Sequence, residues 1–267
     1  MVEAVALYRR LVGARVRAQL QYRASFALDF VGAVLVSCLD FLAVLIIFHN
    51  VRSLAGWSVS EVSLLYGAST LSFALVDLLM GHIDHLPLLI RDGSFDLLLI
   101  RPRGLLFQVM TLDVELRRLG NALQSLGVLL YGVSGLELQW TATKITMFVI
   151  MVLAGALIFS AVWIFAICIV FWSVEGNEVA NAFTYGGHFL TQFPITIYDA
   201  WLRQFLAYVV PMAFVCYFPS LYILDKPDPL GLPFWLRFAS PLVALVATCC
   251  AGSMWRIAVR HYRSAGG

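Results

Sequence analysis

Charge is what this sequence has least of. Charged residues fill 13% of its 267 positions, about half the share in an ordinary soluble domain. With 61% apolar residues and a mean hydropathy of +0.86, too little polar surface remains to cover a water-soluble globule. Neither sign is in excess, since 18 basic and 16 acidic residues leave a net charge of +2. That balance excludes a basic surface for nucleic acid and an acidic solvating tail. Cys38, Cys168, Cys216, Cys249 and Cys250 all lie in apolar stretches without a C-x-x-C pair. They indicate neither a zinc or redox site nor a secreted disulfide framework, and read as small packing residues. A Gly-rich GxxxxGK[ST] loop is missing, so this chain does not take ATP by that route. A cleavable signal peptide is also missing, because the first apolar run begins only near Phe26 and is too long for one.

What is present is apolar length. A bilayer core of about 30 Å needs about 20 apolar residues in a helix. Runs of that kind occur at 26–48, 62–83, 145–172, 202–224 and 238–258, with a weaker one at 119–136. The fold class is therefore an all-α integral membrane protein with six transmembrane helices. The half-apolar stretch 175–199, interrupted by Gly186, Gly187 and Pro194, reads as interfacial. With both termini cytoplasmic, fourteen of the 18 basic residues fall inside, and only Arg52, Lys144, Lys226 and Arg237 fall outside. Cytoplasmic segments of membrane proteins carry such a bias. Residues 1–24, where Leu7, Leu11, Val12 and Leu20 alternate with Arg9, Arg10, Arg15, Arg17 and Arg23, predict a basic amphipathic helix in the inner headgroup layer. Trp57, Trp140 and Trp235 fall at outer edges, Trp172 and Trp255 at inner ones. Ala244, Thr248 and Gly252 form a small-residue row in the last span, a face suited to close helix packing.

Catalysis needs a nucleophile, an acid–base pair or a metal cluster, and none is evident. His82-Ile83-Asp84-His85 is the one metal-like spacing, but polar residues are expected where the second span meets the cytoplasm. We expect no catalytic, cofactor-binding or metal-binding residue. Asp40 and Asp77 stand inside spans, where a carboxylate is costly and should face the bundle or water. They line a cargo cavity that favours cations, or they serve only helix packing. Both readings stay open at this point. A membrane-embedded enzyme acting on lipid and a non-transporting scaffold are the alternatives of other classes.

Two stretches narrow the choice. Arg91, Gly93, Asp96, Leu99, Arg101 and Pro102 fill an R-x-G-x-x-D-x-x-L-x-R-P pattern after the second span. Trp255, Tyr262, Ser264, Ala265 and Gly266 fill a W-x6-Y-x-S-A-G pattern near the end. Together they resemble the permease subunits of type-2 ABC exporters, in the branch of short six-span permeases encoded apart from their ATPase. The prolines Pro211 and Pro219 of the fifth span are similar to that branch as well. The resemblance covers the whole chain as one transmembrane domain, 1–267, in a bacterial inner membrane. It implies a homo- or heterodimer of permeases on two ATP-binding subunits, which hold the ATP and magnesium. Membrane lipids and an amphiphilic or drug-like cargo complete the expected partners, and nucleic acid is not among them.

The resemblance also implies that loop 84–104 docks on the ATPase. Pro87 suits the first turn of a short helix, and Gly93 suits its left-handed end. Leu86, Leu88, Leu89 and Ile90 are the expected apolar knobs, with Arg91, Asp96, Arg101 and Pro102 in the same contact.

Overall fold

The computed structural model describes residues 21–112, 115–173, 176–228 and 231–262, together with Gly13 and Arg17. Most of the expected amphipathic helix lies outside them, as do Arg263, Ser264, Ala265 and Gly266. Regular structure among the described residues is helical, save an isolated bridge between Leu54 and Trp57. Five long helices carry the fold: α1 (Arg23–Asn50), α2 (Val59–Met80), α3 (Arg118–Ser134), α4 (Ala142–Ile167) and α5 (Ser240–His261).

Helix starts follow local chemistry. Ser58 opens α2 with a capping box: its hydroxyl accepts from the Glu61 N–H, and its own N–H donates to Glu61 Oε2 at 2.7 Å, satisfying two orphan donors. Thr141 caps α4 by accepting from the Lys144 N–H.

The helix ends sort into two sets. Trp57, Glu61, Lys144, Asp225 and Lys226 meet at one end. Asp84, Phe95, Phe171, Trp255 and Tyr262 lie at the other. Following the charge count, we name the first end outer and the second inner.

Among the described residues, four stretches are long and apolar enough to cross a membrane: Arg23–Asn50, Val59–Arg91, Ala142–Phe171 and Ser240–His261. A bent pair, Ala200–Val209 and Met212–Ile223, brings the number to five if it counts as one span. The run at 119–136 becomes α3, whose 17 residues cover about 25 Å. Its leucines Leu119, Leu123, Leu126 and Leu130 point outward, while Gly120, Gln124, Ser125 and Gly132 are buried. Small and polar inside, apolar outside, is the pattern for packing in lipid, where burial of leucine against leucine gains little.

α3 runs antiparallel to α2 at very short range. A Cβ on Gly67 would stand 2.6 Å from the Leu129 backbone, and one on Gly132 2.6 Å from the Leu64 N–H nitrogen. No side chain fits either crossing. On its other flank α3 meets α1, where Ser37 donates to Asn121 at 3.0 Å.

The fifth crossing departs from expectation. Residues 176–198, expected at the interface, climb through the bundle. Tyr185 bonds to Asp84 near the inner end, His188 stacks on Phe73, and Thr191 meets Ser69 at 2.5 Å. The chain then doubles back, bends by 76° between Ala200–Val209 and Met212–Ile223, and brings Met212 against Gly187. One straight span over 202–224 is therefore not formed. The physical reason is at the break: Pro211 has no N–H to continue a helix, and the Cys216 thiol and Ser69 hydroxyl give the climbing limb polar partners at mid-depth. Arg203 changes sides in consequence. With Arg237 and Asp228 it acts electrostatically on Tyr217, which stacks with Trp57 at the outer end.

Two further expectations shift. α5 packs on α4 through buried Ala244, Ala251 and Ala258, whereas Thr248 is exposed. Trp57 and Trp255 are buried in aromatic clusters, while Trp140, Trp172 and Trp235 remain at the surface.

Candidate functional site

The inner end gathers the chemistry. After α2 a tight turn, Gly81–His85, leads into a short helix, Leu86–Arg91, with Pro87 in its first turn. Gly93 follows at φ +75°, where a side chain would be strained. The exposed Asp92 carboxylate accepts from the Ser94 N–H and hydroxyl, and these bonds hold it below the usual carboxylate range. A second short helix, Phe95–Leu99, is tied to the return strand of the loop by Gln108, which donates to the Leu98 and Arg103 carbonyls.

Burial redraws the expected contact surface. Leu86, Pro87 and Ile90 are buried in the chain's own core, and Leu89 is half-buried. Of the four expected knobs only Leu88 faces outward. Leu97, Leu99 and Ile100 face outward with it, the last 80% exposed. Arg91, Arg101, Pro102 and Arg103 are exposed around them. The helix phase was misread because Pro87 starts the helix with Leu86 already turned inward.

Beneath the loop the two sequence patterns touch. Tyr262 donates to Asp96 at 2.9 Å, and its ring meets Phe95 edge-on at 4.7 Å. Phe171 stands against Phe95, Trp255 and Tyr262 in turn. Burial first, and then the Asp96 carboxylate, push the Tyr262 hydroxyl up to about 12. It stays a donor across the physiological range. Positions 96 and 262, distant in sequence, thus share one contact that sequence spacing alone does not reveal.

Asp84 is held between two neighbours. One of its carboxylate oxygens accepts from Trp163 Nε1 at 2.8 Å, the other from the Tyr185 hydroxyl at 2.5 Å. His82 and His85 stack on each other at 4.6 Å. No group of three metal-binding side chains occurs among the described residues.

Asp40 and Asp77 come together in one groove of about 580 Å³ between α1, α2 and α3. Asp29, Ser37, Arg117, Arg118, Asn121 and Tyr185 line it as well. The two aspartates differ, however. Asp77 is ion-paired with Arg118, which also donates to the Asp77 carbonyl. Asp40 is exposed and has no ion pair among the described residues. Arg117 and Arg118 both hold Glu115, at 2.6 and 3.3 Å. Burial would raise the Glu115 carboxyl, but hydrogen bonds and charge from the two arginines outweigh it and hold it low. Sequence reasoning did not single out Glu115, Arg117, Arg118 or Tyr185. The signal available was a Glu-x-Arg-Arg run before an apolar stretch in a chain poor in charge.

In comparisons with known proteins, the family model described as ABC-2 family transporter protein matches residues 34–266. No curated protein and no solved structure matches.

Proposed function

The chain belongs to the ABC-2 family of transporter proteins, and from that premise we propose that it is the membrane subunit of an ATP-driven exporter. It is a multi-pass membrane transport component. In our reading two such chains, identical or related, form the pathway on two ATP-binding subunits that supply all catalysis.

One observation carries this reading. Leu97, Leu99 and Ile100 stand exposed, with Leu88, on a loop that Gln108 and Tyr262 tie to the bundle. Arg91, Arg101 and Arg103 surround them without an ion pair among the described residues. An apolar edge ringed by cations and held rigidly suits a protein partner with an apolar groove and an acidic rim. The groove containing Asp40 supports an amphiphilic cargo with a cationic end: its carboxylate lacks a counter-ion, and Leu28 and Val36 supply an apolar wall.

The test is co-purification with the ATP-binding subunit, followed by ATP hydrolysis in lipid. Leu97→Asp with Ile100→Asp introduces two charges into the proposed contact and should detach or uncouple the ATPase while the chain still inserts. An ATPase that stays bound and coupled places the contact elsewhere.

A further inference from the structure

Asp84 opens the docking loop, and its carboxylate is divided between two elements. Trp163 on α4 is fixed: it is 1% exposed and stacks on Phe73 at 5.5 Å. Tyr185 is the more open of the two, although its ring also meets Phe73 and Trp163 edge-on, at 5.6 and 5.8 Å. It is 41% exposed and belongs to a π-helical turn, Ala182–Gly186, that leads directly into Gly187. Such turns carry one residue more than the α-helix needs and recur where helices shift register at functional sites. Tyr185 also forms part of the wall of the groove that holds Asp40 and Asp77. One side chain therefore connects the loop on the partner-facing side with a movable wall on the cargo side.

We infer that Asp84 is the joint through which movement of the docking loop reaches the groove, with Tyr185 as the part that moves. The inference rests on the proposed contact between loop 84–104 and an ATP-binding subunit. When that subunit pulls the loop, Asp84 moves relative to α4, and Trp163 resists because it is packed on every side. The strain falls on the Tyr185 bond, and the π-helical turn yields. Asp84 touches neither the partner nor the groove, so its role is positional. A metal at His82, Asp84 and His85 is a poorer account, since both carboxylate oxygens already accept hydrogen bonds.

Hydrogen exchange of the assembled complex in lipid nanodiscs tests this, comparing nucleotide-free and vanadate-trapped states. In the unaltered chain, trapping should change exchange both in loop 86–100 and in 182–190. Tyr185→Phe keeps the ring and removes the hydroxyl. The response of 182–190 should then shrink about tenfold, the scale of one net hydrogen bond, while the loop still responds. Asp84→Asn and Trp163→Phe provide second and third variants, and the thermal midpoint of each shows that it is folded. A bond serving only as a structural peg would lower that midpoint and leave the state-dependent response intact. An equal response in Tyr185→Phe and the unaltered chain overturns the inference. So does a loop that responds in the unaltered chain while 182–190 does not. If loop 86–100 shows no protection by the ATP-binding subunit, the docking reading itself fails.

Discussion

The two ends of the bundle handle charge in opposite ways. At the outer end both lysines find their complements within the chain. Lys144 reaches Asp225 at 2.5 Å, Lys226 reaches Glu61 at 2.8 Å, and the Lys226 ammonium also sits 4.6 Å over Trp57 and donates to the Gly56 carbonyl. Among the described residues, the ion pairs seen at the inner end join the charges nearest the membrane, Asp77, Glu115, Arg117 and Arg118. Farther out that end leaves arginines and leucines open to the surroundings. An apolar edge exposed among cations is the feature on which the proposed contact rests.

The largest expected effect breaks neither end but the axis between them. Gly67→Val or Gly132→Val drives a side chain into backbone at the α2–α3 crossing, and folded protein should be lost from size-exclusion profiles in detergent. Normal yield would show that α3 stands farther from α2. Next comes Phe95→Ala, which empties a fully buried site under the loop. We expect a loss of about 3 kcal/mol or more, read as a lower thermal midpoint, together with loosening of the loop against α5 in hydrogen exchange.

The outer end should respond more weakly. A double-mutant cycle of Lys226→Met and Glu61→Gln should give a coupling of about 1 kcal/mol, since partly exposed pairs are screened. A coupling several times larger would make the outer end the stiffer of the two. The smallest effect is that of Tyr262→Phe, about 1 kcal/mol for one hydrogen bond. Its sign with pH is fixed. The folded hydroxyl titrates near 12 and its ordinary value is 10.0, so the stabilisation is full below pH 10 and is lost as pH rises through about 12. The Phe variant should lack that component of the pH dependence, and equal curves for both chains would remove the Asp96 contact.

Local chemistry was readable where one residue decides a backbone angle. Pro87 and Gly93 mark the limits of the loop's first helix as their conformational preferences require. Runs 26–48, 62–83, 145–172 and 238–258 were readable because apolar length is a property of the chain itself. The fifth crossing was not. Stretch 175–199 has enough glycine and polar residues to read as interfacial, and only its contacts with Ser69, Phe73 and Cys216 carry it through the bundle. Nor was the burial of Leu86 and Ile90 readable, because a run of four apolar residues does not say which of them turns inward.

By itself, then, the sequence determined the solvent: a chain this poor in charge can bury its surface only in lipid. It also determined the family, through spaced residues that survive without a fold to hold them. The tertiary structure decided which carboxylates are free. Asp77 and Asp84 are spoken for by Arg118, Trp163 and Tyr185, whereas Asp40 is not ion-paired among the described residues. Those partners come from other helices, and no spacing along one strand of sequence contains the distance between two helices.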